Sequence, residues 1–288
     1  MEKIIEQFRS KEQELTLEKE PKLEKVVLLV RHPSVKWLDT VLEKAQQEKK
    51  DIETYTPVDV KGLKMTRYLS EYLRDKYLKK YLPQTIGEKN IDKKYTFWTS
   101  PIKRAETEAR IISKNIKLFA LEDKEIPLPK NNQPIETEYF GEIPWIDKKE
   151  KAQALIDEAK QKNVHPVKLW FEKNPEEIID KLNRKLPEVI KGLEVLENSN
   201  TLIDIVFTHR LTTALLLWYI EERNKGREDF TITKKDLPRI QELTGKPAYT
   251  SISEIRKVKD KNGERWIIKS IGETPHLEKK PELKQGVY

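Results

Sequence analysis

The chain has 288 residues, long enough for one large domain or two small ones. Hydrophobic and charged residues each make up 36%, enough apolar side chains for a sizeable core under a very polar surface, which excludes wholesale disorder. The absence of cysteine excludes a disulfide scaffold, a thiol nucleophile and cysteine-held metal centres, and four histidines are too few for a polyhistidine metal site. The net charge of +7 favours anionic partners, but lysines and glutamates are mixed along the chain, as on solvated helix faces. A secretory leader pattern and an apolar run of membrane-spanning length are both missing, so a soluble cytoplasmic protein with no membrane partner is the expectation. Nucleic acid is disfavoured because there is no basic stripe with interleaved aromatics.

Residues 1–23 are charged and predict a peripheral arm or helix. The unbroken apolar run Val26 to Val30 suits a strand buried on both faces of a parallel sheet, and it ends at Arg31-His32. Residues 61–82 set Met65, Leu69, Leu73, Tyr77 and Tyr81 four apart, which predicts an amphipathic helix. A second short strand, Tyr95 to Thr99, runs into Ser100-Pro101 and a helix over 102–117. Pro127, Pro129, Pro134 and Pro144 mark residues 123–148 as a long loop. Helical patterns follow over 148–162 and from Asn174-Pro175-Glu176-Glu177, where Asn174 reads as an N-cap and Pro187 is expected to kink or divide the helix. A third buried strand, Ile203 to Phe207, ends at Thr208-His209 and leads into a helix that is apolar on every face. Two β patterns then flank Asp260-Lys261-Asn262-Gly263, a hairpin signal, before a loose polar tail over 279–288.

Strand–helix alternation closing on a hairpin predicts an α/β fold with helices on both faces of a mostly parallel sheet. Ligands of such sheets bind beyond the carboxyl ends of the strands. Three buried strands end there in Arg31-His32, in Ser100-Pro101 leading to Arg104, and in Thr208-His209. Two imidazoles and two guanidiniums would then share one crevice. Arginine forks match phosphate oxygens, and a neutral imidazole can attack phosphorus.

The segments LLVRHPSVKW (28–37), TPVDVKGLKM (56–65), SPIKRAETEA (100–109), IVFTHR (205–210), TSIS (250–253) and Pro275-His276-Leu277, in that order, resemble the histidine phosphatase superfamily, also called phosphoglycerate mutase-like. The resemblance spans about residues 24–278. It implies a three-layer α/β/α sandwich with a helical cap inserted at about 140–200. By that resemblance His32 is the nucleophile that becomes phosphohistidine, and Arg31 and Arg104 bind phosphate. His209 binds it too and stabilises the transition state. The family's acid/base glutamate falls in PIETEYFGEIPW, where Glu138 is the preferred position, followed by Glu142 and Glu136. The implied activity is hydrolysis of a small phosphomonoester without metal or cofactor. Alternatives are a phosphoglycerate mutase-type transferase and a catalytically weak binder of phosphorylated ligands.

The chain departs from the family at Pro33, Val35 and Leu38 after the first histidine, and at Arg210 after the second. Pro33 removes a backbone donor and Arg210 adds a cation. Elsewhere, His276 reads as structural and His165 as a surface residue, while core packing is favoured for Trp145, Trp170 and Phe171.

Overall fold

The computed structural model describes residues 21–33, 58–82, 94–123, 126–131, 133–143, 149–261 and 263–284. The arm expected over 1–23 lies almost wholly outside these residues, as do Ser34, Val35, Leu38, Trp145 and Asn262.

The described strands are β1 (Lys22–Arg31), β2 (Tyr95–Thr99), β3 (Ile135–Glu136), β4 (Ile203–Thr208), β5 (Ile252–Asp260) and β6 (Gly263–Glu273). They form a six-stranded sheet in the order β3-β2-β4-β1-β5-β6. The first four are mutually parallel, whereas β5 runs antiparallel to β1 and turns back into β6 through the expected hairpin. Gly263, with φ of +103°, supplies the left-handed backbone of that turn.

Successive side chains of a strand face opposite sides, so an unbroken apolar run needs cover on both. Val26, Leu28 and Val30 face one core cluster together with Ile205 and Phe207; Val27, Leu29 and Val206 face the other. The first cluster is closed by α1 (Val60–Leu73), which continues through a π-helical turn at Arg74–Leu78 to Tyr81, and by α2 (Lys103–Asp123). The second is closed by α3 (Lys149–Gln161), α4 (Pro166–Lys173), α5 (Pro175–Asn198), α6 (Arg210–Asn224) and α7 (Leu237–Gly245). The result is the three-layer α/β/α architecture. The stretch about 140–200 contributes α3, α4 and α5, whose apolar sides join the same cluster as Val27 and Val206.

Two helical expectations change. The helix containing Pro187 is one continuous element, because Leu182, Leu186, Val189 and Leu193 bury one side of it on both flanks of the proline. The tail is not loose up to residue 284. Pro281–Lys284 forms α8, and Leu283 packs with Leu277 and Met65. Among the described residues no helix is long and apolar enough to cross a membrane.

The N-terminal end of the parallel strands is tied by a buried polar knot. Lys25 Nζ lies 3.0 Å from Asp204 Oδ2 and donates to the Leu196 and Ser199 carbonyls, while Asp204 also accepts from Trp98 Nε1 at 2.8 Å and Thr201 Oγ1 at 2.8 Å. Asp204→Ala would leave a buried ammonium without its counter-ion, so a loss of about 3–5 kcal/mol is expected in urea unfolding. Glu108 of α2 is fully buried and neither carboxyl oxygen has a hydrogen-bond partner among the described residues; burial drives its pKa well above the ordinary value. The folded chain holds the proton that the unfolded chain releases above about pH 4.3, so this side chain costs stability as pH rises from there through the folded-state pKa. Glu108→Gln is expected to be neutral near pH 4 and increasingly stabilising towards pH 8, measured as the shift in urea midpoint.

Candidate active site

Because β4 lies between β2 and β1, the residues that follow these three strands are neighbours. Ser100 N–H donates to Phe207 O at 3.0 Å and His32 N–H donates to Thr208 O at 3.2 Å, which fixes the strand ends level with one another. His209 therefore sits between Ser100 and His32. Its Nε2 is 2.8 Å from Ser100 Oγ, and its ring centroid is 5.3 Å from that of His32. Both imidazoles are buried, with 6% exposure at His32 and 1% at His209.

Hydrogen bonds indicate which nitrogens carry protons. His32 Nδ1 is 3.0 Å from the Pro33 carbonyl, which only accepts, so Nδ1 donates and Nε2 keeps the lone pair. Ser100 Oγ accepts from Ile102 N–H at 3.2 Å and so has its own hydrogen to give to His209 Nε2. In that arrangement the His209 proton is on Nδ1, a buried atom with no hydrogen-bond partner among the described residues.

Cations surround these rings. Arg31 ends β1; its Nη1 donates to Pro247 O at 2.7 Å and its guanidinium stacks on Tyr249, 4.1 Å from the ring centroid. Arg104 lies in the first turn of α2 and forms an ion pair with Glu142. Arg210 opens α6, with Nη1 at 2.7 Å from His165 Nε2. Burial pulls Arg31 down to about 9, reinforced by the charge of Arg210. Burial, followed by Arg104, holds both His32 and His209 well below the ordinary histidine value, so both are neutral at physiological pH.

The structure thus gathers His32, His209, Arg31 and Arg104, but not Glu138. That residue is exposed on the 3₁₀ turn Glu138–Phe140, which turns its side chain to solvent. The carboxylate that joins this cluster is Glu142, paired with Arg104 and 3.6 Å from His209 Nδ1. Its loop is pinned by Thr208 Oγ1, which donates to Phe140 O at 2.9 Å, and by Thr212 Oγ1, which donates to Gly141 O at 2.6 Å. Gly192 of α5 admits the Phe140 ring, since a Cβ there would meet that ring at 2.8 Å. Glu136 is exposed.

His165, expected on the surface, is half-buried. It accepts from Val167 N–H at 3.1 Å at the start of α4 and faces Arg210; burial and then Arg210 lower its pKa to about 3. Tyr249 carried no signal in the sequence. It reaches the cleft because β5 pairs with β1, a pairing that the local pattern does not specify. Trp170 and Phe171 belong to the core, as expected.

No protein-family model matches the chain, and no curated protein matches it. Among solved structures, it is similar to a phosphoglycerate mutase from Bacillus anthracis at 13% identity and a TM-score of 0.48, over 88% of this chain and 96% of that one. It is also similar to a candidate alpha-ribazole-5'-P phosphatase from Escherichia coli, at 11% identity and a TM-score of 0.47 over 87% of this chain and 97% of that one. A third likeness is to a mutant phosphoserine phosphatase from Entamoeba histolytica in complex with phosphoserine, at 14% identity and a TM-score of 0.42 over 88% and 99%.

The charge arrangement makes a testable statement. In an NMR titration the His32 and His209 rings are expected to remain neutral at about pH 5.5, where a free histidine is mostly charged. Arg104→Met should raise both values, because Arg104 is the largest charge acting on each ring.

Proposed function

We propose that this protein is a phosphomonoester hydrolase that works through a phosphohistidine on His32. The observation that carries the reading is one buried cluster where a neutral His32 with its lone pair on Nε2 meets Arg31, Arg104 and His209, with Glu142 alongside. A neutral imidazole is the nucleophilic form, and preorganised guanidiniums offset the negative charge on the phosphoryl oxygens.

In the first half-reaction the His32 Nε2 lone pair forms a bond to phosphorus, and the bond from phosphorus to the ester oxygen breaks. That oxygen keeps the electron pair and takes a proton from the Glu142 carboxyl. In the second half, water attacks phosphorus and gives a proton back to the Glu142 carboxylate. The nitrogen–phosphorus bond breaks, its electron pair returns to Nε2, and inorganic phosphate leaves. His209 donates from Nδ1 to a phosphoryl oxygen throughout. Before substrate arrives Glu142 is paired with Arg104, and a phosphate that recruits Arg104 frees this carboxyl to serve as the acid. The substrate is a small phosphorylated molecule.

Incubation with labelled phenyl phosphate is expected to give net release of phosphate and a phosphoenzyme stable to base and labile to acid. Both should vanish in His32→Ala. Glu142→Gln is expected to lower turnover of phenyl phosphate by about 10²–10⁴, and less with para-nitrophenyl phosphate, whose leaving group needs little protonation. Glu138→Gln should leave turnover unchanged. Absence of turnover and label in the wild type would sink the enzymatic reading. Label passed between phosphoglycerates without release of phosphate would make the protein a mutase, and full activity in Glu142→Gln would reassign the acid.

A further inference from the structure

Residues 247–251 join α7 to β5 and fold over the C-terminal end of β1. This turn holds Arg31 from several sides. Arg31 N–H donates to Ser251 O at 3.0 Å, Arg31 O accepts from Thr250 N–H at 3.0 Å, and Arg31 Nη1 donates to Pro247 O at 2.7 Å. The Tyr249 ring lies under the Arg31 guanidinium and 5.6 Å from the His32 ring.

Thr250, at the centre of the turn, has φ of +55°. This left-handed region is a genuine outlier for a β-branched residue, and such a conformation persists only where its surroundings hold it. Thr250 is fully buried, and its Oγ1 lies 2.9 Å from His276 Nε2. His276 belongs to the 3₁₀ turn Pro275–Leu277, which is anchored where Leu277 packs with Met65 and Leu283. On the opposite side Gly272 leaves room for the turn, since a Cβ there would fall 2.5 Å from Lys246 O.

We propose that His276 is a positioning residue for the cleft: its hydrogen bond to Thr250 Oγ1 holds the 247–251 turn in the strained backbone that sets Tyr249 and the Pro247 carbonyl against Arg31 and His32. The inference rests on the reading of Arg31 and His32 as phosphate-handling groups. His276 acts through Thr250 and Tyr249, and it takes no part in bond making.

The test uses the whole chain, as wild type, His276→Leu, His276→Asn, His276→Gln and the double variant His276→Leu with Thr250→Gly. Three quantities are read: the His32 ring-proton shifts by NMR, the affinity for inorganic phosphate by calorimetry, and kcat and KM for para-nitrophenyl phosphate. His276→Leu is expected to keep a cooperative thermal transition, move the His32 shifts and weaken phosphate binding about five- to tenfold, as for the loss of one half-buried hydrogen bond. KM should change more than kcat, because Arg31 binds the phosphate and does not react. Thr250→Gly should restore binding in the double variant, since glycine adopts the left-handed backbone without support. Should His276→Leu not fold, Asn and Gln make the same comparison: the shorter amide loses the effect and the longer one retains it.

A lowered thermal midpoint with unchanged His32 shifts and phosphate affinity would overturn the proposal, leaving His276 as an anchor for the C-terminal segment alone. Failure of Thr250→Gly to restore binding would overturn it as well. A wild type that neither turns over nor binds phosphate would overturn the function proposed above, while the His32 shifts would still decide the role of His276.

Discussion

The position of β4 between β2 and β1 is the constraint on which the cleft depends. Parallel register sets Val26 opposite Ile203 and Tyr95 opposite Ile203, so these strands reach their carboxyl ends together. One step beyond, Ser100, His209 and His32 stand side by side, and none of them needs a long loop to reach the others. The helices that follow β2 and β4 bring Arg104 and Arg210 to the same edge within their first turns. A register slip of one residue would turn the whole apolar set of β4 to the wrong layers, so core packing and the geometry of the candidate site are specified by the same pairing.

Electrostatics then turns this geometry into chemistry. Burial alone disfavours a charged imidazole, and the nearby guanidiniums disfavour it further. The cations that would attract an anion to these side chains therefore also keep His32 in the neutral form that the proposed attack on phosphorus requires. Arginine suits this environment because its charge survives burial: Arg31 falls only to about 9 and stays cationic at neutral pH. The overall charge of +7 is a poor guide to this arrangement, since what matters is the position of three guanidiniums at one sheet edge.

The sequence made the parallel core legible because buried strands without alternation and strand-terminal polar clusters are local signals. His32, His209, Arg31 and Arg104 could be read for that reason. The carboxylate could not. Glu136, Glu138 and Glu142 differ only in which way a short irregular loop turns, and that is decided by Thr208 and Thr212 grasping the Phe140 and Gly141 carbonyls. Tyr249 and the burial of His165 depend on pairings between segments far apart in sequence, β5 on β1 and α4 against the start of α6. The persistence of helix past Pro187 is likewise a tertiary effect, in which a buried flank outweighs the local cost of proline.

The two ends of the parallel strands also treat buried polar atoms in opposite ways. At the amino end, Lys25, Asp204, Trp98 and Thr201 satisfy one another in a closed network. At the carboxyl end, Arg31 Nε, His209 Nδ1 and Arg210 Nε are buried and have no hydrogen-bond partner among the described residues. Each such group costs on the order of 1–3 kcal/mol, and a core shaped by stability alone would remove them. Unmatched donors at the end where ligands of parallel sheets bind are consistent with the proposed reaction, which brings an acceptor to them. A phosphoryl group, with several acceptor oxygens and a negative charge, matches that requirement in number, polarity and charge, whereas an apolar or cationic ligand would leave the same donors unmet.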